Sequence, residues 1–315
     1  MNYGVPYKGS KNKLAERIMR FLPKRDNLID LFCGGCAVSH AALLMGKYKH
    51  IHINDVNWMC PTLFIDALNG KYNDETRWIS REDFSRLKNA DPYVAIVWSF
   101  GNNMRDYLYS KEIEPLKRAV HYAIFFNNYE PGRALGHDLS FVDGIIGVHR
   151  RYVAVSRYFR KFRTFRLQSL ESAVRVWKLS TLLGQCGSTQ NFGLPPRGQA
   201  KKISKSILDY AEVEIPKNSV IYCDIPYINT NVYDTENTFD YERFYQWAES
   251  HTEPVFISSY DTPANRFDCV MEWDHRSTLC TTANIRVKER LFIPKHQTER
   301  GNRPPRTPSL FDDLE

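Results

Sequence analysis

The run Leu28-Ile29-Asp30-Leu31-Phe32 leads into Cys33-Gly34-Gly35-Cys36, then a helix-forming stretch over 37–45, then a second apolar run, Ile51-His52-Ile53-Asn54-Asp55. Strand, glycine turn, helix and strand within about 30 residues make a βαβ unit. Such a unit requires a parallel strand pair, and this restricts the chain to an α/β architecture. Further strand signals appear at 220–223, 255–259 and 290–294, with a helical pattern at 241–250 between the first two.

Composition narrows the class without naming a partner. A chain of 315 residues can hold one large domain or two modest ones. With 43% hydrophobic and 25% charged residues it has the balance of a globular protein. A net charge of +7 and a pI near 8.9 lean mildly toward an anionic partner. The opening Met1-Asn2-Tyr3-Gly4-Val5-Pro6-Tyr7-Lys8 lacks the apolar core of a signal peptide. Apolar stretches such as 94–100, which reads as strand-like, are too short to cross a bilayer. Seven cysteines, an odd number, suit free thiols in a reducing cytoplasm, so the expectation is a cytoplasmic protein without membrane contact.

From 71 to 204 the βαβ rhythm is absent. Residues 149–178 look helical and carry Arg150, Arg151, Arg157, Arg160, Lys161, Arg163 and Arg166. Residues 185–202 read as a loop, and 297–315, polar and proline-rich, as a disordered tail. No internal repeat is visible. The expected plan is a discontinuous α/β domain from 1–70 and 205–296, with a mainly helical insertion over 71–204.

Two constellations carry chemistry. At the end of the apolar run 219–223, Asp224-Ile225-Pro226-Tyr227 offers a carboxylate, a backbone carbonyl, a rigid proline and an aromatic ring. The two oxygens suit the hydrogens of an amino group on a planar heterocycle, and the ring suits its face. The glycine turn lies where an open α/β sheet binds ligands, beyond the carboxyl ends of its strands. Asp55, ending the next strand, is placed for the two hydroxyls of a ribose.

Tyr7-Lys8-Gly9-Ser10-Lys11, the turn at Phe32 to Cys36, Asn54-Asp55, Leu208-Asp209-Tyr210 and Asp224-Ile225-Pro226-Tyr227 follow one another along the chain. In this order they resemble the landmarks of Dam-like, adenine-specific DNA methyltransferases, over about 150 residues at the two ends of the catalytic domain. The resemblance implies a Rossmann-like mixed sheet with a helical DNA-recognition insertion. It also implies S-adenosylmethionine as methyl donor, S-adenosylhomocysteine as product and double-stranded DNA as substrate. By the same resemblance Tyr7, Lys11, Asp30, Phe32, Gly34, Gly35, Asp55 and Asp209 hold the cofactor, while Asp224, Ile225, Pro226 and Tyr227 are catalytic. Lys8, Asn102, Asn103, Arg150, Arg151 and Arg157 are candidates for DNA contact, and no metal is implied. A cognate restriction endonuclease is a compatible partner. So is a sliding clamp, through Ser309-Leu310-Phe311-Asp312.

The chain departs from the family pattern twice. Cys36 stands where the turn has its last glycine, and a non-glycine residue resists positive φ there, so a different local turn is expected. Ile225 replaces a proline, with its main-chain carbonyl as the expected working group. Three other readings compete: a catalytically inactive DNA-binding relative, a methyltransferase acting on RNA or a protein amide, and a thiol–disulfide oxidoreductase built on Cys33-Gly34-Gly35-Cys36. A zinc site lacks a second closely spaced Cys or His pair. The redox reading has a direct test: the purified protein should not accelerate insulin reduction by a dithiol, and robust acceleration would revive it.

Overall fold

The computed structural model describes residues 2–159, 167–185, 203–227, 239–276 and 286–299. The chain divides into two units, one formed by Met1–Gly4, Ser10–Pro61 and Leu183–Glu315, the other by Val5–Gly9 and Thr62–Leu182.

The first unit carries a sheet of seven described strands: β1 (Asn27–Asp30), β2 (His50–Asn54), β3 (Ile203–Ser206), β4 (Ser219–Asp224), β5 (Val255–Ser259), β6 (Phe267–Arg276) and β7 (Arg286–Pro294). Their order is β3-β2-β1-β4-β5-β7-β6. β1 to β5 run parallel; β7 is antiparallel to both β5 and β6. This is the Rossmann-like mixed sheet expected from the sequence. Strand order reverses at β1, between β2 and β4, and ligands of open α/β sheets bind at such a switch point. The carboxyl ends of β1, β2 and β4 therefore bring Asp30, Asp55 and Asp224 to one edge.

Alternation along the strands builds the core. Ile29 and Leu31, Ile221, Cys223 and Ile225, and Val255 and Ile257 lie in one buried cluster with Phe244, Tyr245 and Ala248. Those last three come from the helix Tyr241–Ser250, started by Asp240, whose side chain accepts the Arg243 N–H at 2.9 Å. The helix Ala37–Met45 packs on β1 and β2.

Four readings from sequence need correction. The run 94–100 is not a strand: Pro92–Val97 is a helix, capped by Asp91, whose carboxylate accepts the N–H groups of Tyr93 and Val94. A fully buried apolar run has no periodicity to separate the two, and here cap and proline decide. β3 and β6 were not anticipated. β3 is Ile-Ser-Lys-Ser, a short edge strand with almost no apolar signal, and it starts before residue 205, inside the expected insertion. The tail begins later than 297: Lys295–Glu299 is helical, and buried Gln297 accepts from Val255 N and donates to the carbonyls of His251 and Glu253. The segments 186–202 and 300–315, with the clamp-like peptide, lie outside the described residues, as do Arg160, Lys161, Arg163 and Arg166.

The second unit is helical among its described residues, with helices at Arg81–Leu87, Pro92–Val97, Glu114–Phe126, Glu130–Arg133, Val148–Tyr158 and, shared with the first unit, Gln168–Gln185. Trp78, Trp98, Tyr109 and His121 form its aromatic centre. Among the described residues no helix is long and apolar enough to cross a membrane.

Gly4 makes the tightest approach at the glycine turn. It has φ +66°, and a Cβ there would sit 2.0 Å from the Gly35 carbonyl oxygen and 2.8 Å from the Ala37 nitrogen. Both obstacles are backbone, so Gly4→Ala must distort the turn. A loss of about 2–5 kcal/mol in urea unfolding is expected, from backbone strain plus overpacking. A loss below about 1 kcal/mol would mean the turn is more yielding than its geometry indicates.

Candidate active site

The turn after β1 is held by side chains rather than by glycine alone. Gly34 (φ 44°) donates its N–H to Asp55 Oδ2 at 2.8 Å, and Asn57 N–H reaches Asp55 Oδ1 at 2.9 Å. Cys33 N–H bonds to the Asn54 carbonyl at 3.0 Å. The Asn54 amide donates to the carbonyls of Leu31 and Leu208, and its oxygen accepts from Ser206 Oγ and Leu208 N. Asn54 thus ties three strand ends together. Cys36 adopts the left-handed conformation after all, at φ 56°, so the turn keeps a glycine-like path despite the substitution. That conformation costs roughly 1–2 kcal/mol in a non-glycine residue. The thiols of Cys33 and Cys36 are buried and free, and burial pushes both pKa values up, which makes them poor nucleophiles.

Asp30 is 1% exposed. Its Oδ2 accepts the Ser39 hydroxyl at 2.6 Å, while Oδ1 is buried with no hydrogen-bond partner among the described residues. Burial pushes its pKa up to about 7, against the Ser39 hydrogen bond and with help from the negative Asp224 and Asp55. Asp55 and Asp224 are also raised, burial again being the largest cause. Three carboxylates that disfavour one another's ionisation, one with an unused oxygen, suit a ligand bearing positive charge.

Beyond β4, Lys11 Nζ lies 2.7 Å from Asp224 Oδ1 and 3.7 Å from Glu289 Oε1. Lys11 is 9% exposed and Asp224 21%. Burial alone would lower the ammonium pKa, but the attraction of Asp224 and then Glu289 outweighs it, and the net shift is upward. The Tyr227 hydroxyl donates to Glu289 Oε1 and lies 3.3 Å from Asp224 Oδ1. Lys11 Nζ stands 4.6 Å from the Tyr227 ring centroid, and the Tyr260 ring 4.3 Å away at 57°. The Ile225 side chain is buried in the core cluster, so this position packs as well as carrying its carbonyl. The Pro226 carbonyl accepts from Tyr241 Oη at 3.1 Å.

The remaining candidates divide by their surroundings. Phe32 packs on Tyr210, Phe239 and Phe244. The Asp209 carboxylate is taken up by both terminal guanidinium nitrogens of Arg243 at 2.9 and 3.0 Å. Tyr7, half-buried, and Lys8, exposed, belong to the second unit. Asn102 donates to the Ile96 carbonyl at 2.8 Å, and Asn103 closes a turn onto Arg105, Asp106 and the Asp106 carboxylate, so both amides already serve the loop. Arg151 is pinned to the carbonyls of Ile145 and Ile124 and to Asn127, whereas Arg150 and Arg157 are exposed. Sequence reasoning missed Glu289 and Tyr260. It also missed Val56, apolar but exposed just past β2; Leu208, from the landmark Leu208-Asp209-Tyr210 and given no role there, is likewise exposed past β3.

The model of D12 class N6 adenine-specific DNA methyltransferases matches residues 7–126, a span that includes the glycine turn and Asp55. Over those 120 of its 315 residues the chain is similar to this family. No curated protein matches it. D12 methyltransferases use S-adenosylmethionine, whose ammonium and sulfonium are the kind of positive groups that the edge of Asp30, Asp55 and Asp224 favours. The family match stops short of Asp224, so the tetrapeptide stands on its own geometry.

Asp30 gives the protein a pH signature. Folded, it keeps its proton to about pH 7; unfolded, it releases it near the ordinary value of 3.8. Its contribution thus favours the fold below about pH 4 and is lost as pH rises to about 7. In ligand-free protein, Asp30→Asn should gain on wild type in urea unfolding from pH 4.5 to pH 8, by up to about 4 kcal/mol. A gap that does not change with pH would refute the assignment.

Proposed function

We propose that this chain is a D12-class methyltransferase that acts site-specifically on the exocyclic amino group of an adenine turned out of a DNA duplex. The observation that carries the reading is the end of β4, where Asp224, the Ile225 main chain and Tyr227 adjoin the acidic edge of the cofactor turn. Adenine's amino nitrogen is a poor nucleophile, because its lone pair is delocalised into the ring. The Asp224 carboxylate and the Ile225 carbonyl can accept its two hydrogens and favour a more tetrahedral nitrogen. Bound S-adenosylmethionine supplies the electrophilic methyl. Positioning and electrostatics do most of the work, and Asp224 need not be a strong base, since the proton becomes acidic only as the new bond forms. Tyr227 offers a ring to replace the stacking a flipped base loses. Asp30, with its unused oxygen, and the turn at Phe32, Gly34 and Gly35 would hold the donor's amino-acid end. Asp55 would hold the ribose while keeping the turn closed, and Val56 and Leu208 offer apolar surface for the adenine of the donor.

Arg150 and Arg157, exposed on one helix, suit phosphate contacts. A cognate endonuclease fits the same reading, because methylation would mask its cutting sites. A DNA substrate together with buried free thiols fits a cytoplasmic setting. An inactive DNA-binding relative is the weaker reading, having no use for the buried network around Asp224.

Long-read modification mapping of DNA from expressing cells should reveal N6-methyladenine at one sequence motif. Asp224→Ala should abolish the mark while cofactor affinity stays within a few-fold. Unmodified DNA from wild-type cells, or a full mark from the variant, would sink the reading.

A further inference from the structure

Glu289 breaks the pattern of its strand. Its neighbours on β7, Lys288 and Arg290, are more exposed and both pair with Glu272. Glu289 turns inward and is 3% exposed. A buried carboxylate costs several kcal/mol unless partnered, and a well-packed apolar side chain would serve stability as well or better. Both of its partners, Tyr227 and Lys11, belong to the site around Asp224.

We propose that Glu289 is a positioning residue for methyl transfer: it fixes the Tyr227 ring through its hydroxyl and gives Lys11 a second anionic seat, freeing Asp224 to accept the adenine amino hydrogens. The assignment rests on the DNA-adenine reading above. In the structure Lys11 sits on Asp224 Oδ1 at 2.7 Å, the acceptor an incoming amino group requires. With no second anion near it, the ammonium would have to be pulled off its only buried partner before the substrate could bind there. Glu289 Oε1 is 3.7 Å away, so a shift of about 1 Å brings Lys11 to charge-assisted hydrogen-bond distance from it. The cation stays paired, the local charge is unchanged, and Asp224 is released. The same Glu289 oxygen accepts the Tyr227 hydroxyl, so the Tyr227 ring and the seat for Lys11 are set by one group.

Charge and shape can be separated. Glu289→Gln keeps the length and can still accept from Tyr227, but it does not attract Lys11. Glu289→Asp keeps the charge and loses one methylene. The variants would be assayed with tritium-labelled S-adenosylmethionine on plasmid DNA lacking adenine methylation, for kcat and for KM toward DNA. Cofactor affinity by equilibrium binding and the Tm would be measured in parallel.

Glu289→Gln should lower kcat by roughly twentyfold or more, the scale of a misaimed reacting group. Its KM and cofactor Kd should stay within about threefold of wild type, a loss confined to the transition state. Glu289→Asp should retain more kcat than Glu289→Gln. Tyr227→Phe, which removes the shared hydrogen bond from the other side, should lower kcat with little change in Tm. A Gln variant as active as the Asp variant, losses confined to KM or Kd, or an unaffected Tyr227→Phe would overturn the assignment. If wild type fails to methylate DNA, the DNA-adenine reading falls and this assignment with it; an active wild type with Gln at or above Asp sinks only the role of Glu289.

Discussion

The ion pair between Lys11 and Asp224 is the contact on which the site depends. Four carboxylates gather around the ends of β1, β2 and β4 and on β7, and burial works against the charge of each. One ammonium, 2.7 Å from Asp224 and 3.7 Å from Glu289, offsets the repulsion at the β4–β7 end. At the other end, around Asp30 and Asp55, no cation of the chain is paired with the acids among the described residues. The candidate site is therefore polarised: compensated around Asp224 and left acidic around Asp30 and Asp55, the arrangement that the proposed binding of base and positively charged donor would use.

Support for that gradient comes from the backbone. The reversal of strand order at β1 brings the acids to one edge, but the glycine turn sets their spacing. The turn is closed by Asp55 from β2, covered by Gly4, and completed by Cys36 in a left-handed conformation that resists a side chain. Strain of this kind persists only where surrounding contacts over-determine the backbone, and here they do.

Much of this was legible in the sequence. β1, β2, β4 and β5 and the helices Ala37–Met45 and Tyr241–Ser250 announced themselves by apolar runs and helix-forming stretches, and the tetrapeptide by its chemistry. What stayed hidden did so for physical reasons. β3 forms because β2 offers an unpaired edge, not because Ile-Ser-Lys-Ser favours a strand. Residues 93–99 are buried all round, so nothing in them distinguishes helix from sheet. Glu289 sits in Lys288-Glu289-Arg290, which reads as an ordinary charged strand; only the fold reveals that its middle residue points inward. Asp55 was read as a ligand holder, and its two backbone hydrogen bonds could not be foreseen without the turn's path.

The pairing of β1 with β4 has a consequence for how the protein comes into being. Asn27 lies opposite Ser219, and its amide bonds to the Lys217 carbonyl 190 residues away. Contacts so distant along the chain are intrinsically slow to form, since closing the loop costs entropy before any packing rewards it. During synthesis the glycine turn after β1 leaves the ribosome long before β4 exists to flank it, and β7 follows later still. A truncated or half-made chain thus carries the Asp30–Asp55 end of the candidate site without the Asp224 end. Exposed parallel strand edges and an acidic, uncompensated turn are then what a chaperone meets first.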